Sequence, residues 1–214
     1  MPAPATVPPA VTVIDHPLVQ VKLGLLRDQG TPFPAFRRIL RETAALMFYT
    51  VTQDLPTVDA TVQTPLAPCP ARRLARPVVL APILRAGLGL MEGLFELVPD
   101  AQVAHLGIYR DEDTLQPVSY YARVPEGVGE AEVILLDPML ATGHSAAAAV
   151  TALKRAGARR VRFLCLVGCP AGVEFFGGAH PDVPVYTAAI DERLNERGYI
   201  VPGLGDAGDR FFGT

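Results

Sequence analysis

The chain has 214 residues, of which 50% are hydrophobic and 19% charged, with a formal net charge of −3. This composition excludes a chain disordered throughout, and the charge balance excludes nucleic-acid binding by bulk electrostatics. At this length a single domain over 1–214 is expected, able to bury a core without a disulfide or structural metal.

The first ten residues, MPAPATVPPA, read as a loose tail, with neither the basic nor the apolar region of a signal peptide. No run approaches 18 apolar residues, so no membrane span is expected and the cytoplasm is the default location. Leu18–Arg27 reads as a helix, with Gly30 near its end. A longer helix follows Thr31, in which Phe36, Ile39, Leu40, Thr43, Met47 and Val51 recur at three- and four-residue spacing. Val58, Ala60, Val62 and Thr64 alternate like a half-exposed strand. Next come a buried strand at Pro77–Leu84, a helix at Gly87–Val98 and a strand at Ala101–Tyr109. A hairpin arm or lid is expected at about 111–123, carrying Tyr120 and Tyr121. Val133–Leu136 is a compact strand, and Ser145–Arg155 an alanine-rich helix closed by Gly157. A strand at Val161–Val167, a short helix at Gly172–Gly177 and a strand at Val183–Ile190 complete the alternation. Strands alternating with helices predict an α/β fold, a mostly parallel sheet flanked by helices, with an extended hairpin arm. Such sheets bind ligands beyond the carboxyl ends of their strands.

The cysteines, Cys69, Cys165 and Cys169, are too few for a disulfide framework. Cys165 and Cys169 lie four apart in an apolar stretch and read as small core residues on one side of a strand. The four histidines, His16, His105, His144 and His180, show no metal-ligand spacing, so no protein-built metal site is expected.

Four loops carry the chemistry. The strongest runs from Asp137 to Ser145, between the Val133–Leu136 strand and the alanine-rich helix. Thr142, Gly143 and Ser145 supply hydroxyls and a close backbone, and free amides at a helix start favour an anion such as a phosphate monoester. It is no Walker A loop, because no Lys precedes Ser145. Asp137 is placed for ribose hydroxyls or a magnesium ion; the plainer alternative is Ser/Thr capping of the helix. The second loop, Pro82–Gly89, holds Arg85, whose fork of donors suits a diphosphate; the plainer alternative is a solvated surface Arg. Its glycines miss the dinucleotide spacing by one residue. The third, Tyr109–Thr114, holds Arg110, a second diphosphate candidate or part of a charged turn. The fourth, Gly198–Arg210, spells Gly-x-Gly-x-x-Gly, but only four residues follow Arg210, so no helix is expected after it. So much glycine there lets the backbone read a flat ligand edge, such as a nucleobase.

Taken together, Asp137–Ser145, PILRAG at 82–87, YRDEDTL at 109–115 and GYIVPGLGDAGDRFFGT at 198–214 resemble the uracil phosphoribosyltransferase family, of the type I phosphoribosyltransferase superfamily. The resemblance runs from about His16 to Thr214. It implies transfer of the phosphoribosyl group of phosphoribosyl diphosphate (PRPP) to uracil, giving UMP and diphosphate, with magnesium. Carried over by motif, Arg85 and Arg110 contact the diphosphate. Asp137, Pro138, Met139, Leu140, Ala141, Thr142, Gly143, His144 and Ser145 cradle the 5′-phosphate and ribose. Ile200, Gly205, Asp206 and Ala207 hold uracil, largely through backbone, and Asp206 also reaches PRPP. Asp206, Arg85 and Arg110 are the catalytic candidates, and Asp191 is placed to order the uracil loop from behind. A homo-oligomer, dimer or tetramer, and a GTP effector are the partners implied, with no nucleic acid and no membrane. The alternatives are a phosphoribosyltransferase for another nucleobase and a non-enzymatic nucleotide-sensing regulator of the same fold. Two departures stand out. His144 replaces a usual Gly and would strain the loop if that position needed a Gly-only backbone angle. Tyr49-Thr50-Val51 falls where the family usually has Tyr-Glu-Ala.

Overall fold

A computed structural model describes residues 10–110 and 117–214. The chain enters through β1 (Val11–Val13), a three-residue strand too short for any periodicity to announce. α1 (Pro17–Arg27) opens on a proline, whose fixed φ suits the first helical turn, with the His16 side chain accepting the Leu18 N–H. α2 (Phe33–Thr52) buries the whole predicted stripe from Phe36 to Val51. The strand predicted around Val58 is β2 (Thr57–Gln63). Its antiparallel partner, β3 (Pro68–Leu74), was not predicted; its prolines argue against a central strand but fit a ribbon with free edges.

β4 (Val78–Leu84) is buried almost throughout, and α3 (Gly87–Phe95) ends three residues short of its expected end. The strand expected at 101–109 is broken at Ala104 into β5 (Gln102–Val103) and β6 (His105–Arg110). Of the expected arm, residues 111–116 lie outside the described residues, and Pro117–Arg123 form β7, antiparallel to β6.

Two predicted strands, Val161–Val167 and Val183–Ile190, break where the sheet meets the site, and a third resumes inside the predicted Asp137–Ser145 loop. β8 (Glu132–Leu136) resumes as β9 (Met139–Leu140), and α4 (His144–Arg155) follows. β10 (Val161–Leu164) resumes as β11 (Val167–Gly168), before α5 (Pro170–Ala179). β12 (Val185–Thr187) resumes as β13 (Ala189–Ile190). The break at Cys165–Leu166 corrects the expectation that Cys165 and Cys169 share one strand face. Both are fully buried, but in different cores, because the turn between them reverses the alternation. The chain ends in a small hairpin, β14 (Arg193–Leu194) with β15 (Ile200–Val201), and a short helix, α6 (Ala207–Phe212). That helix spans Arg210, where none was expected, and Asp206 caps it by accepting the Asp209 N–H.

The main sheet runs β1-β12-β10-β8-β4-β6-β7, with β5 also on β4. Every pairing in it is parallel except β6–β7. The resumed pieces form a second parallel sheet, β13-β11-β9. One core packs α1, α2, α3 and α6 against one face, and a second packs α4 and α5 against the other. This is the predicted α/β fold, and it directs the loops after β4 and β8 to the carboxyl end of the sheet. Among the described residues no helix is long and apolar enough to cross a membrane.

Candidate active site

A cavity of about 250 Å³ opens at this end. One wall is the loop from Asp137 to Ala146; the other is Gly198–Ile200 and Gly205–Ala207. The sequence placed these two stretches in one site, about 60 residues apart, and the structure brings them face to face.

The first wall ends in the uncapped start of a helix. Gly143, at φ +81°, turns the chain into α4, and no side chain caps that helix. The plainer alternative for Thr142 and Ser145, capping, is therefore not what they do; the first amides of α4 remain for a ligand. A Cβ on Gly143 would stand 2.7 Å from the Gly172 carbonyl oxygen, so both backbone angle and space require glycine there. His144 is instead the first helical residue of α4, so the strain considered for it does not arise. Its ring leaves the cavity and stacks on Phe175 of α5, centroids 3.9 Å apart. Pro138 is buried beneath the wall, whereas Met139, Leu140, Ala141, Thr142, Gly143 and Ser145 line the cavity.

Asp137 sits at the floor, where the sheet breaks. Its Oδ1 accepts the Met139 N–H at 3.3 Å. Burial pushes its carboxyl up to about 7, and the Asp206 carboxylate across the cavity adds to the rise. The buried Cys165 thiol, next to this carboxyl, is pushed up to about 12 by burial and is no nucleophile. No group of three or more His, Cys, Asp or Glu side chains gathers to hold a metal among the described residues.

The second wall presents mostly backbone. Ile200 is buried, Gly205 has φ +77°, and Ala207 and Asp206 start α6. Asp191 stands behind this loop. Its Oδ2 accepts the Gly203 N–H at 2.8 Å, and Arg27 grips both its oxygens at 2.7 Å while donating to the Gly203 carbonyl at 2.7 Å. Arg210 ties the same loop down by donating to the Leu204 and Leu26 carbonyls. Sequence reasoning missed Arg27, which no local spacing links to a loop 176 positions away, and gave Arg210, the last residue of that loop, no contact. Gly198 and Tyr199, in that same loop, also line the cavity, although the sequence assigned them no contact of their own.

Arg85 is not brought into the cavity wall. It lies beside α6, exposed, paired with Asp209 at 3.2 Å and lying over the Phe212 ring. The Leu84–Arg85 peptide that carries it is cis. Arg110 closes β6, with its side chain outside the described features.

Comparison with known proteins agrees with this architecture. The family pattern described as uracil phosphoribosyltransferase matches residues 13–214. Proteins named uracil phosphoribosyltransferase from Rhizobium rhizogenes and Caulobacter vibrioides are 57% and 56% identical over 205 residues, 95% of this chain and 98% of theirs. The protein of that name from Symbiobacterium thermophilum is 55% identical over the same shares. A solved protein of Aquifex aeolicus is 35% identical, with a TM-score of 0.90 over 94% of this chain and 97% of its own. Adenine phosphoribosyl transferase of Trypanosoma brucei shares the fold alone, at 15% identity and a TM-score of 0.54, over 84% of this chain and 82% of its own.

Proposed function

The chain belongs to the uracil phosphoribosyltransferase family, and on that premise we propose how its residues divide the work. The enzyme transfers the phosphoribosyl group of PRPP to uracil, giving UMP and diphosphate. The observation that carries the site reading is the uncapped start of α4, facing a backbone-lined wall across one cavity with Asp137 between them.

The amides and hydroxyls of Thr142–Ser145 hold the 5′-phosphate, with the α4 dipole behind them. Asp137 accepts from ribose hydroxyls. The backbone of Ile200, Gly205 and Ala207 reads the uracil edge, while Asp206 reaches toward both substrates. In the reaction the anomeric carbon–oxygen bond to diphosphate breaks, the bond to uracil N1 forms, and the N1 proton leaves. Charge grows on the departing diphosphate, so donors aimed at it lower the barrier. Arg85 suits this role. It is exposed beside α6, and its ion pair with Asp209 is one that a diphosphate can displace. Arg110 closes the next strand over and is its counterpart.

Two cavity carboxyls are too few to cage a metal, but they fit a magnesium ion carried on the oxygens of PRPP. Such an ion supplies neutralisation of diphosphate charge; Asp137 and Asp206 are the side chains that would face it.

The chain acts as one domain in the cytoplasm, as a homo-oligomer. The β2–β3 hairpin supports the last point: both strands are largely exposed, and a two-stranded ribbon alone is marginal in water. A GTP effector is proposed from family membership alone. Light scattering and turnover with and without GTP test these two statements.

The deciding experiment is UMP formation from uracil and PRPP, with and without magnesium, beside cytosine, hypoxanthine and orotate. Uracil-selective, magnesium-dependent turnover is expected. Preference for another base would overturn the substrate, and PRPP binding without any turnover would favour a nucleotide sensor.

A further inference from the structure

The loop proposed to hold the 5′-phosphate rests on α5, which contributes nothing to the cavity lining. The Cys169 N–H donates to the Leu140 carbonyl at 3.2 Å, and the Cys169 thiol donates to the Ala141 carbonyl at 3.0 Å. Gly172 lies so close that a Cβ on it would meet the Ala141 carbonyl oxygen at 2.3 Å. These contacts seat the loop up to Ala141. The turn beyond, at Gly143 and His144, meets Phe175: the ring stacks on His144 at 3.9 Å, inclined by 26°. It also lies 3.2 Å from where a Gly143 Cβ would stand.

The contact that the His144 ring makes among the described residues is this stack. Its Nδ1 is shielded from solvent and has no partner among the described residues. Phe175 is itself 43% exposed, and part of its ring is covered by this turn. What it covers is the hinge between a left-handed glycine and the first amide of α4.

We propose that Phe175 is a positioning residue for the phosphoribosyl substrate: stacked on His144, it pins the Gly143 turn against α5 and keeps the α4 amides aimed at the 5′-phosphate. This rests on the reading of that loop as the phosphate site. It gives the His144 departure a role, since a glycine there offers Phe175 no ring to stack on. Without the stack, the turn samples more conformations in the empty enzyme, and PRPP must order it on binding. The cost falls on PRPP affinity, because uracil is read on the opposite wall.

The test measures PRPP affinity by calorimetry, both KM values and kcat. The wild-type chain comes first; if it does not bind PRPP, the phosphate-site reading fails whatever Phe175 does. In Phe175→Ala, the PRPP Kd and KM should rise about two- to tenfold, the range an aromatic pair commands. The uracil KM and kcat should stay within about twofold. Phe175→Tyr keeps the ring and should restore wild-type values. Phe175→Leu keeps apolar cover without the stack, and should behave like Phe175→Ala even if the alanine variant folds poorly. In a His144→Gly background, Phe175→Ala should have no further effect. An unchanged PRPP KM, an equal rise in the uracil KM, or the same effect in the His144→Gly background would each overturn the proposal.

Discussion

Asp137→Asn should make the ligand-free protein more stable and the enzyme worse. The wild-type carboxyl is pushed up to about 7 from an ordinary 3.8, first by burial and then by the Asp206 carboxylate. The folded state therefore holds this proton more tightly than the unfolded chain does. Below about pH 4 both states are protonated and the group contributes nothing. Between about pH 4 and 7 the unfolded chain has released its proton while the folded state retains it, so stability falls as pH rises. Above about 7 the loss is complete and constant. A displacement of about three pH units corresponds to about 4 kcal/mol. Water in the cavity relaxes part of this, so about 2–4 kcal/mol is the working figure at pH 8. Asparagine keeps the oxygen that accepts the Met139 N–H but cannot ionise. At pH 4 the variant and wild type should melt together; at pH 8 the variant should melt about 5–15 °C higher. Its kcat/KM for PRPP should fall about 10- to 100-fold, as a charge-assisted contact is lost. Thermal melts of both proteins from pH 4 to 8, without ligand, provide the check. A melting difference that does not grow with pH, or a variant less stable at pH 8, would refute the account of this carboxyl.

Asp191→Asn should break the grip of Arg27 and free the Gly203 turn, costing on the order of 3 kcal/mol because Asp191 is buried and its cation would be left behind. Urea unfolding measures the stability, and the uracil KM should rise more than the PRPP KM; equal effects on both would deny Asp191 its place behind the uracil wall. Arg85→Ala should leave the melting temperature within about 2 °C, since its ion pair with Asp209 is exposed. Its kcat/KM should fall about 10- to 100-fold through loss of a contact to the charged leaving group. Wild-type kinetics in that variant would remove Arg85 from the site.

What the sequence made legible, and what it hid, follows from the range of the forces involved. The α2 stripe was readable because burial repeats with the helix period from Phe36 to Val51. The turn from β8 into α4 was readable because a strand end, a glycine turn and a helix start fall within nine consecutive residues. The breaks at Cys165 and Ala188 were invisible, since apolar residues continue across them and only pairing with neighbouring strands ends the ladder. The Arg27–Asp191 pair was invisible for a different reason: its partners lie 164 positions apart. Asp191 alone could be placed near its loop, being only 12 positions from Gly203. The stack of His144 on Phe175 left no signal, because one histidine and one phenylalanine form no pattern.

The hidden breaks are also where the site acquires its precision. At one level of the sheet, Asp137, Cys165 and Ala188 leave their ladders, and the gap is stitched by other bonds. The Leu166 N–H donates to the Pro138 carbonyl at 2.9 Å, the Ala188 N–H to the Leu166 carbonyl at 3.0 Å, and the Thr187 hydroxyl to the Leu166 carbonyl at 3.1 Å. The backbone groups a break would orphan are thereby satisfied, which a buried turn requires. Asp137 is thus fixed on the sheet itself rather than on a mobile loop, and its carboxyl stays buried although ionising it there is unfavourable. A carboxyl held this way would lose little freedom on meeting the ribose hydroxyls proposed for it. The same burial raises the Cys165 thiol beyond reach of ionisation at neutral pH, so the floor of the site offers one acceptor and no competing nucleophile. Stability surrendered at Asp137 and order gained at the sugar are two effects of a single placement, and Asp137→Asn should reverse both together.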